Sequence, residues 1–176
     1  EHASTEKSNM NESDIEYLDV FNQLPEDYKR KGALKELGER SKDTQFHTTR
    51  DRLCTYYSWA IPTLEALEGI RDAVGDKKIY DYGCGTGYWN SLLDVESYCY
   101  DINKNPHKLW IEDYYNEELN PSDTKDYALL LSWPQKKHPM MRYALDNYKG
   151  NTIIYIGELF RGTGDPSNRD TRQGDA

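Results

Sequence analysis

The sequence predicts an α/β fold: a mostly parallel sheet with helices on both faces, preceded by an N-terminal helical extension. Three observations carry this. Short apolar, β-branched or aromatic runs alternate with stretches of helical spacing from residue 63 onward, the order that puts a crossover helix between parallel strands. The run Tyr127-Ala128-Leu129-Leu130-Leu131 is uninterrupted, as a central strand buried on both faces requires. Three alternate glycines, Gly83, Gly85 and Gly87, stand between a short strand and a helix, where such sheets let a ligand approach the main chain.

The first twelve residues are polar and without periodicity, and are expected to be mobile. Ile15, Leu18, Val20, Phe21 and Leu24 have rough helical spacing, with Ser13 as N-cap and Glu16 completing a capping box. Pro25 ends that helix. Glu26 to Leu37 is expected to form a second helix stopped near Gly38, and Ser41 to Arg52 reads as a polar loop. The aromatic cluster Tyr56-Tyr57-Ser58-Trp59 runs into Pro62 and a helix over Thr63–Ala73. Its position one helix before the glycine strand puts Tyr57 and Trp59 over the carboxyl edge of the sheet, though aromatics at a helix entrance also seal cores. Gly75-Asp76 turns into the first strand, Ile79–Tyr82, and Tyr88–Leu93 begins the helix after the glycines.

Ser97-Tyr98-Cys99-Tyr100-Asp101 reads as the second strand, ending in an acid. Asn103 to Pro121 is ambiguous. Trp110-Ile111 fits a short strand or part of a surface helix, and Asp113-Tyr114-Tyr115 is a candidate for adenine contacts. Asp126 to Leu131 is a strand closing on Ser132-Trp133-Pro134. Pro139 opens a helix with Met141, Ala144, Leu145 and Tyr148 on one face, stopped at Gly150. Thr152–Ile156 is the last strand and leads into Gly157-Glu158. In a Rossmann-like sheet of this order the polar strand ends Asp81, Asp101, Ser132 and Glu158 converge on one crevice.

The totals narrow the function. At 176 residues the chain suits one domain with a real core, divided into an extension (1–55), a binding domain (56–165) and a polar tail (166–176). A net charge of −9 does not favour broad nucleic-acid binding, which calls for a basic face. Lys29-Arg30-Lys31 and Lys136-Lys137-His138 are short basic runs that read as solvated surface. No stretch of roughly eighteen apolar residues is present to span a membrane, and the first residues lack the apolar core of a secretory signal. Three scattered cysteines and four unpaired histidines point to a reducing cytoplasm and to no metal site. The chain starts without Met and stops in a polar run, which reads as an excised or trimmed piece.

Three ligands compete for the glycine turn. The dinucleotide fingerprint would need a small residue at Tyr88, and the P-loop would need a Lys that does not follow these glycines. S-adenosylmethionine has no phosphate to cradle, so the early third glycine is no handicap. Asp101 follows Gly83 by 18 positions, close to the spacing at which an acid accepts from ribose hydroxyls. Asp81 is the candidate for the methionine part. Tyr57, Trp59 and Trp89 are candidate pocket walls, and Ser132 and Glu158 are candidates to face an acceptor.

With these residues assembled, the chain resembles the class I S-adenosylmethionine-dependent methyltransferases. Asp81-Tyr82-Gly83-Cys84-Gly85-Thr86-Gly87 is similar to that family's first motif, and Asp101 to its ribose-binding acid. Tyr57-Ser58-Trp59-Ala60-Ile61-Pro62, Leu131-Ser132-Trp133-Pro134 and Ile154-Tyr155-Ile156-Gly157-Glu158 also resemble a group of uncharacterised methyltransferase-like proteins. The resemblance covers about residues 56–165. It implies S-adenosylmethionine as cofactor and a small-molecule or protein methyl acceptor. Two departures stand out. Gln135-Lys136-Lys137 stands where this group tends to have a proline and a tyrosine, a pattern similar to that of amino-group methyltransferases. Only 18 residues follow Glu158, too few for the family's C-terminal antiparallel strands, so these are expected to be missing. A binding module that retains S-adenosylmethionine without transferring methyl is the alternative, and a nicotinamide-dependent oxidoreductase is a weaker one.

Overall fold

The computed structural model describes residues 10–26, 44–103, 108–134 and 139–157. Its centre is a four-stranded, all-parallel sheet in the order β2-β1-β3-β4. The strands are β1 (Lys78–Tyr82), β2 (Ser97–Tyr100), β3 (Tyr127–Ser132) and β4 (Ile153–Ile156). The helices are α1 (Glu16–Asn22), α2 (Thr44–Tyr56), α3 (Leu64–Val74), α4 (Tyr88–Leu93) and α5 (Met140–Asn147). This is the α/β, Rossmann-like arrangement expected from the sequence. Strand order reverses between β1 and β3, and ligands of such sheets bind outside the carboxyl ends at that point.

Register explains why each strand has its composition. Ile79, Asp81, Cys99, Ala128, Leu130, Ile154 and Ile156 alternate with Tyr80, Tyr82, Tyr98, Tyr100, Leu129, Leu131 and Tyr155, so period two sorts them to opposite faces. The first set packs under α3 and α4 with Leu67, Ile70, Val74 and Leu93. The second packs under α5, through Met141 and Ala144, and against Leu119. Leu129, Leu130 and Leu131 lie at 0–1% exposure, each contributing roughly 2 kcal/mol by removal from water. A central strand reads as one apolar run because both of its faces are covered.

α3 starts at Thr63, whose hydroxyl accepts from the Ala66 amide at 3.2 Å, satisfying one of the helix's orphan donors. It ends at Gly75, with φ +58°. Arg71 then reaches across from α3. Its Nε and Nη2 donate to the carbonyls of Leu93 and Leu92 at 3.1 and 2.7 Å, filling acceptors that the end of α4 leaves open. This ties α4, and so the glycine turn before it, to α3.

Four local expectations change. Residues 44–56 are helical, not a loop; the sequence there lacks an apolar stripe, and its described buried contact comes only from the end, at Leu53 and Cys54. Ser13 does not cap α1. It lies in a 3-10 turn over Glu12–Asp14, where the Asp14 carboxylate accepts from the Asn11 amide at 2.7 Å. Trp110-Ile111 is neither strand nor helix; a single parallel bridge pairs Tyr115 with Tyr100 instead. In α5, Met141 and Ala144 face inward but Leu145 is exposed. The expected second helix over residues 26–37 lies, apart from Glu26, outside the described residues. No described helix is long and apolar enough to cross a membrane.

Candidate functional site

The carboxyl end of β1 opens into the glycine turn. Gly83, Gly85 and Gly87 have φ of +87°, +58° and +71°, a region that costs other residues roughly 1–2 kcal/mol each. The turn is anchored to β2 because the amides of Gly83 and Cys84 both donate to the Tyr100 carbonyl, at 2.8 and 2.9 Å. A side chain at Gly83 would overlap the Met140 methyl, and one at Gly87 would come within 2.5 Å of Ile111. At Gly85 it would meet nothing within 4 Å. Bare backbone is therefore open to a ligand at Gly85 and closed by neighbours on either side.

Asp101, one residue past β2, stands on this same rim. Its Oδ2 accepts from the Gly85 amide at 2.8 Å and its Oδ1 from the Asn103 amide at 3.0 Å. Its own backbone is pinned as well: the amide donates to Tyr115 O at 3.1 Å, and Tyr114 Oη donates to its carbonyl at 2.6 Å. The acid and the open glycine thus form one unit, with a half-exposed carboxylate at the sheet edge. The Tyr114 phenol is pushed up to about 12 by burial and by the Asp101 charge, so it remains a donor at physiological pH.

Asp81 is wholly buried beneath the turn, 2% exposed, on the face that carries α4. Burial raises its carboxyl to about 7, the nearby Asn90 opposes the shift, and the Asp101 charge adds to it. Its Oδ1 has no hydrogen-bond partner among the described residues, nor have Asn90 Nδ2 and Oδ1. Asn90 lies close enough to favour the charged acid, but without an aligned bond. A buried acid and amide left so incompletely satisfied cost roughly 1–3 kcal/mol per group, which a core gains nothing by retaining.

Asn90 and Thr86 are site residues that the sequence did not single out. Asn90 interrupts Tyr88-Trp89-Asn90-Ser91-Leu92-Leu93, where helical spacing to Leu93 puts a polar side chain on the inward face; that is its signal. Thr86 is 4% exposed. Its hydroxyl donates to the Tyr57 carbonyl and accepts from the Tyr88 amide at 3.2 Å, while its own carbonyl accepts from Trp110 N. It locks the turn to the aromatic segment.

Of the expected pocket walls, Tyr57 is 4% exposed, its ring stacked between Tyr17 at 4.6 Å and Trp110 at 5.5 Å. Its hydroxyl donates to Glu16 at 2.6 Å, so it fastens α1 to the domain. Burial and that acid raise its phenol well above the ordinary range. Trp89 is 5% exposed, with Nε1 donating to the Ala60 carbonyl at 3.2 Å. Trp59, by contrast, is 52% exposed. The structure therefore puts Tyr57 and Trp89 inside packed clusters and leaves Trp59 at the surface.

Ser132 closes β3 at the same edge as the turn. After it, Trp133 has φ +50°, an uncommon state for a bulky side chain that is held by its amide bond to the Ile156 carbonyl at 2.7 Å. Glu158 lies outside the described residues. Among the described residues no group of three or more His, Cys, Asp or Glu could hold a metal ion. Two clefts lie elsewhere: one of about 320 Å³ between α4, the start of β2 and residues 111–113, and one of about 660 Å³ between α1 and α2. Neither of these two is lined by the glycines or Asp101. Comparison with protein-family models, with curated proteins and with solved structures returned no match.

Proposed function

We propose that this chain binds S-adenosylmethionine at the β1 turn and transfers its methyl group to a small-molecule or protein acceptor. The observation that carries this reading is the bond from the Gly85 amide to Asp101 Oδ2: open backbone and a carboxylate on one rim. Such a pair suits a nucleoside, because the carboxylate can accept from both ribose hydroxyls while the bare turn admits the sugar's edge. The orphaned Asp81 Oδ1 fits a cationic neighbour, which would favour its ionised form.

The cofactor supplies the activated methyl. The chain's part is to bind, orient and exclude water. Asp101 holds the ribose, Gly85 and its neighbours give backbone access, and Asp81 sets the field near the methionine part. Ser132 and Trp133, at the neighbouring strand end, are candidates to face the acceptor. No general base is required for displacement at a sulfonium carbon. The net charge of −9 disfavours nucleic acid as acceptor.

A second reading, a module that binds S-adenosylmethionine without transferring methyl, is favoured by Gln135-Lys136-Lys137, where the resembling group has a proline and tyrosine. Two measurements decide. Titration calorimetry with S-adenosylmethionine, S-adenosylhomocysteine and NAD is expected to give heat with both sulfur ligands and none with NAD; silence with both removes both readings. Methyl-labelled cofactor in a cell extract then separates enzyme from module, since only the enzyme labels a product.

A further inference from the structure

The glycine turn carries a thiol, and a second thiol lies beside it. Cys84 sits between Gly83 and Gly85, with its amide bonded to the Tyr100 carbonyl at 2.9 Å. Sheet register sets Asp81 opposite Cys99 and Tyr82 opposite Tyr100, so the residue before Tyr100 comes under the turn. Cys99 turns its side chain to the same face as Asp81, and Cys84, whose amide is held by the very next residue, Tyr100, has the Cys99 thiol and the Asp81 and Asp101 charges near enough to act on its own thiol. Neither cysteine is in a disulfide; Cys84 is half-buried and Cys99 buried. Cys99 also lines the 320 Å³ cleft beside α4, which gives a small oxidant a route from that side.

We propose that Cys84 and Cys99 form a reversible disulfide that locks the glycine turn to β2, and that this lock weakens ligand binding at the turn. The second half rests on the reading of the turn as an S-adenosylmethionine site. With hydrogen peroxide as oxidant, the Cys84 thiolate attacks one oxygen, the O–O bond breaks, and hydroxide leaves and is protonated to water. The resulting sulfenic acid is attacked by the Cys99 thiolate; an S–S bond forms, the S–O bond breaks, and a second water leaves. Two thiols and one peroxide give one disulfide and two waters. A dithiol reverses it by exchange.

The neighbouring Cys99 thiol, and then burial, hold the Cys84 thiol well above its ordinary range. Oxidation is therefore slow at neutral pH and quickens as pH rises, because the thiolate is the nucleophile. A disulfide draws its sulfurs to about 2.05 Å, closer than any hydrogen bond between thiols. β2 is held by β1 on one side and by the Tyr115 bridge on the other, so the turn is the part that moves. Gly85, next along, carries the bond to Asp101, and that bond is displaced.

The test is to oxidise the reduced chain with hydrogen peroxide at about pH 8, alkylate what remains, and map peptides without reduction. The expected product has lost two hydrogens and links Cys84 to Cys99. Dithiothreitol undoes it; Cys84→Ser and Cys99→Ser do not form it, and Cys54→Ser does. If a serine variant fails to fold, Cys99→Ala takes its place. Amide exchange at Gly85 should quicken in the linked form as its bond to Asp101 is lost, and S-adenosylhomocysteine should bind it at least about tenfold more weakly than the reduced form. Absence of the linked peptide, or unchanged exchange at Gly85, overturns the lock, and equal affinity of both forms overturns the switch. If the link forms and exchange at Gly85 quickens while even the reduced chain binds no S-adenosylhomocysteine, the lock stands and the ligand reading fails.

Discussion

The two faces of the sheet handle polar groups in opposite ways. On the tyrosine face the hydroxyls of Tyr80, Tyr82, Tyr98 and Tyr148 are held by hydrogen bonds. Tyr82 Oη donates to Glu118 at 2.7 Å, Tyr98 Oη to the Glu117 carbonyl at 2.9 Å, and Tyr80 Oη accepts from the Leu119 amide at 3.3 Å. Tyr148 Oη bonds the carbonyls of Tyr127 and Thr152, at 2.7 and 2.8 Å, and so ties the end of α5 to the strands. On the aliphatic face β1, β3 and β4 present Ile79, Ala128, Leu130, Ile154 and Ile156, and at the carboxyl end of β1 Asp81 meets Asn90 with polar atoms left unpartnered. The first face uses these four hydroxyls to close the fold. The second keeps polar atoms incompletely satisfied at one spot, beneath the turn, which is where a site stores cost that a core would shed.

Substitutions on the two faces sharpen this contrast. The largest effect is expected from Leu130→Ala, at 0% exposure among α3, α4 and β1. A cavity there should cost about 3–5 kcal/mol in denaturant unfolding, whatever the ligand. Asp81→Asn comes next and has the opposite sign. Because the folded-state value of about 7 exceeds the ordinary 3.8, the folded chain holds this proton more tightly than the unfolded one. Stability due to Asp81 is thus full below about pH 4 and falls as pH rises to about 7. The variant should flatten that fall and gain about 2–4 kcal/mol above neutrality. Unfolding curves between pH 4 and 8 check it, and an unchanged slope would mean that the acid is not strained.

The same carboxyl gives a binding prediction. A sulfonium ligand favours ionised Asp81, so affinity for S-adenosylmethionine should rise from pH 6 to 8, by at most about tenfold per unit below the pKa. S-adenosylhomocysteine, without the charge, should change less. Asp101→Ala should weaken either ligand by about 1.5–3 kcal/mol through loss of charge-assisted bonds, read by calorimetry. Smallest is Tyr82→Phe on the tyrosine face: about 1 kcal/mol of stability lost with the Glu118 bond, and ligand affinity unchanged.

Much of the sheet was legible because its strands are short, apolar and separated by glycine or helical spacing. Tyr88–Leu93 and Tyr127 to Leu131 could be read directly, since periodicity and burial agree there. α2 was not legible because Thr-Gln-Phe-His-Thr-Thr-Arg-Asp-Arg has no apolar stripe, and without one helical spacing cannot be told from a loop. Residues 108–121 were ambiguous because they meet the sheet through one bridge, at Tyr115, while Trp110 is held by ring contacts to Tyr57 and Tyr88, and such contacts leave no period in the sequence. The adjacency of Asp101 and the glycines followed from spacing. The sequestered rings of Tyr57 and Trp89 did not, since an aromatic before a helix reads alike whether it lines a hollow or fills one.

The amides of the turn offer the most direct test of a ligand site on this rim. In a backbone-amide NMR titration with S-adenosylhomocysteine, Gly85, Asp101 and Asn103 are predicted to shift first and most, while Leu119 and its neighbours across the tyrosine face stay still. Shifts confined to the tyrosine face, or none at saturating ligand, would contradict a site at the glycine turn.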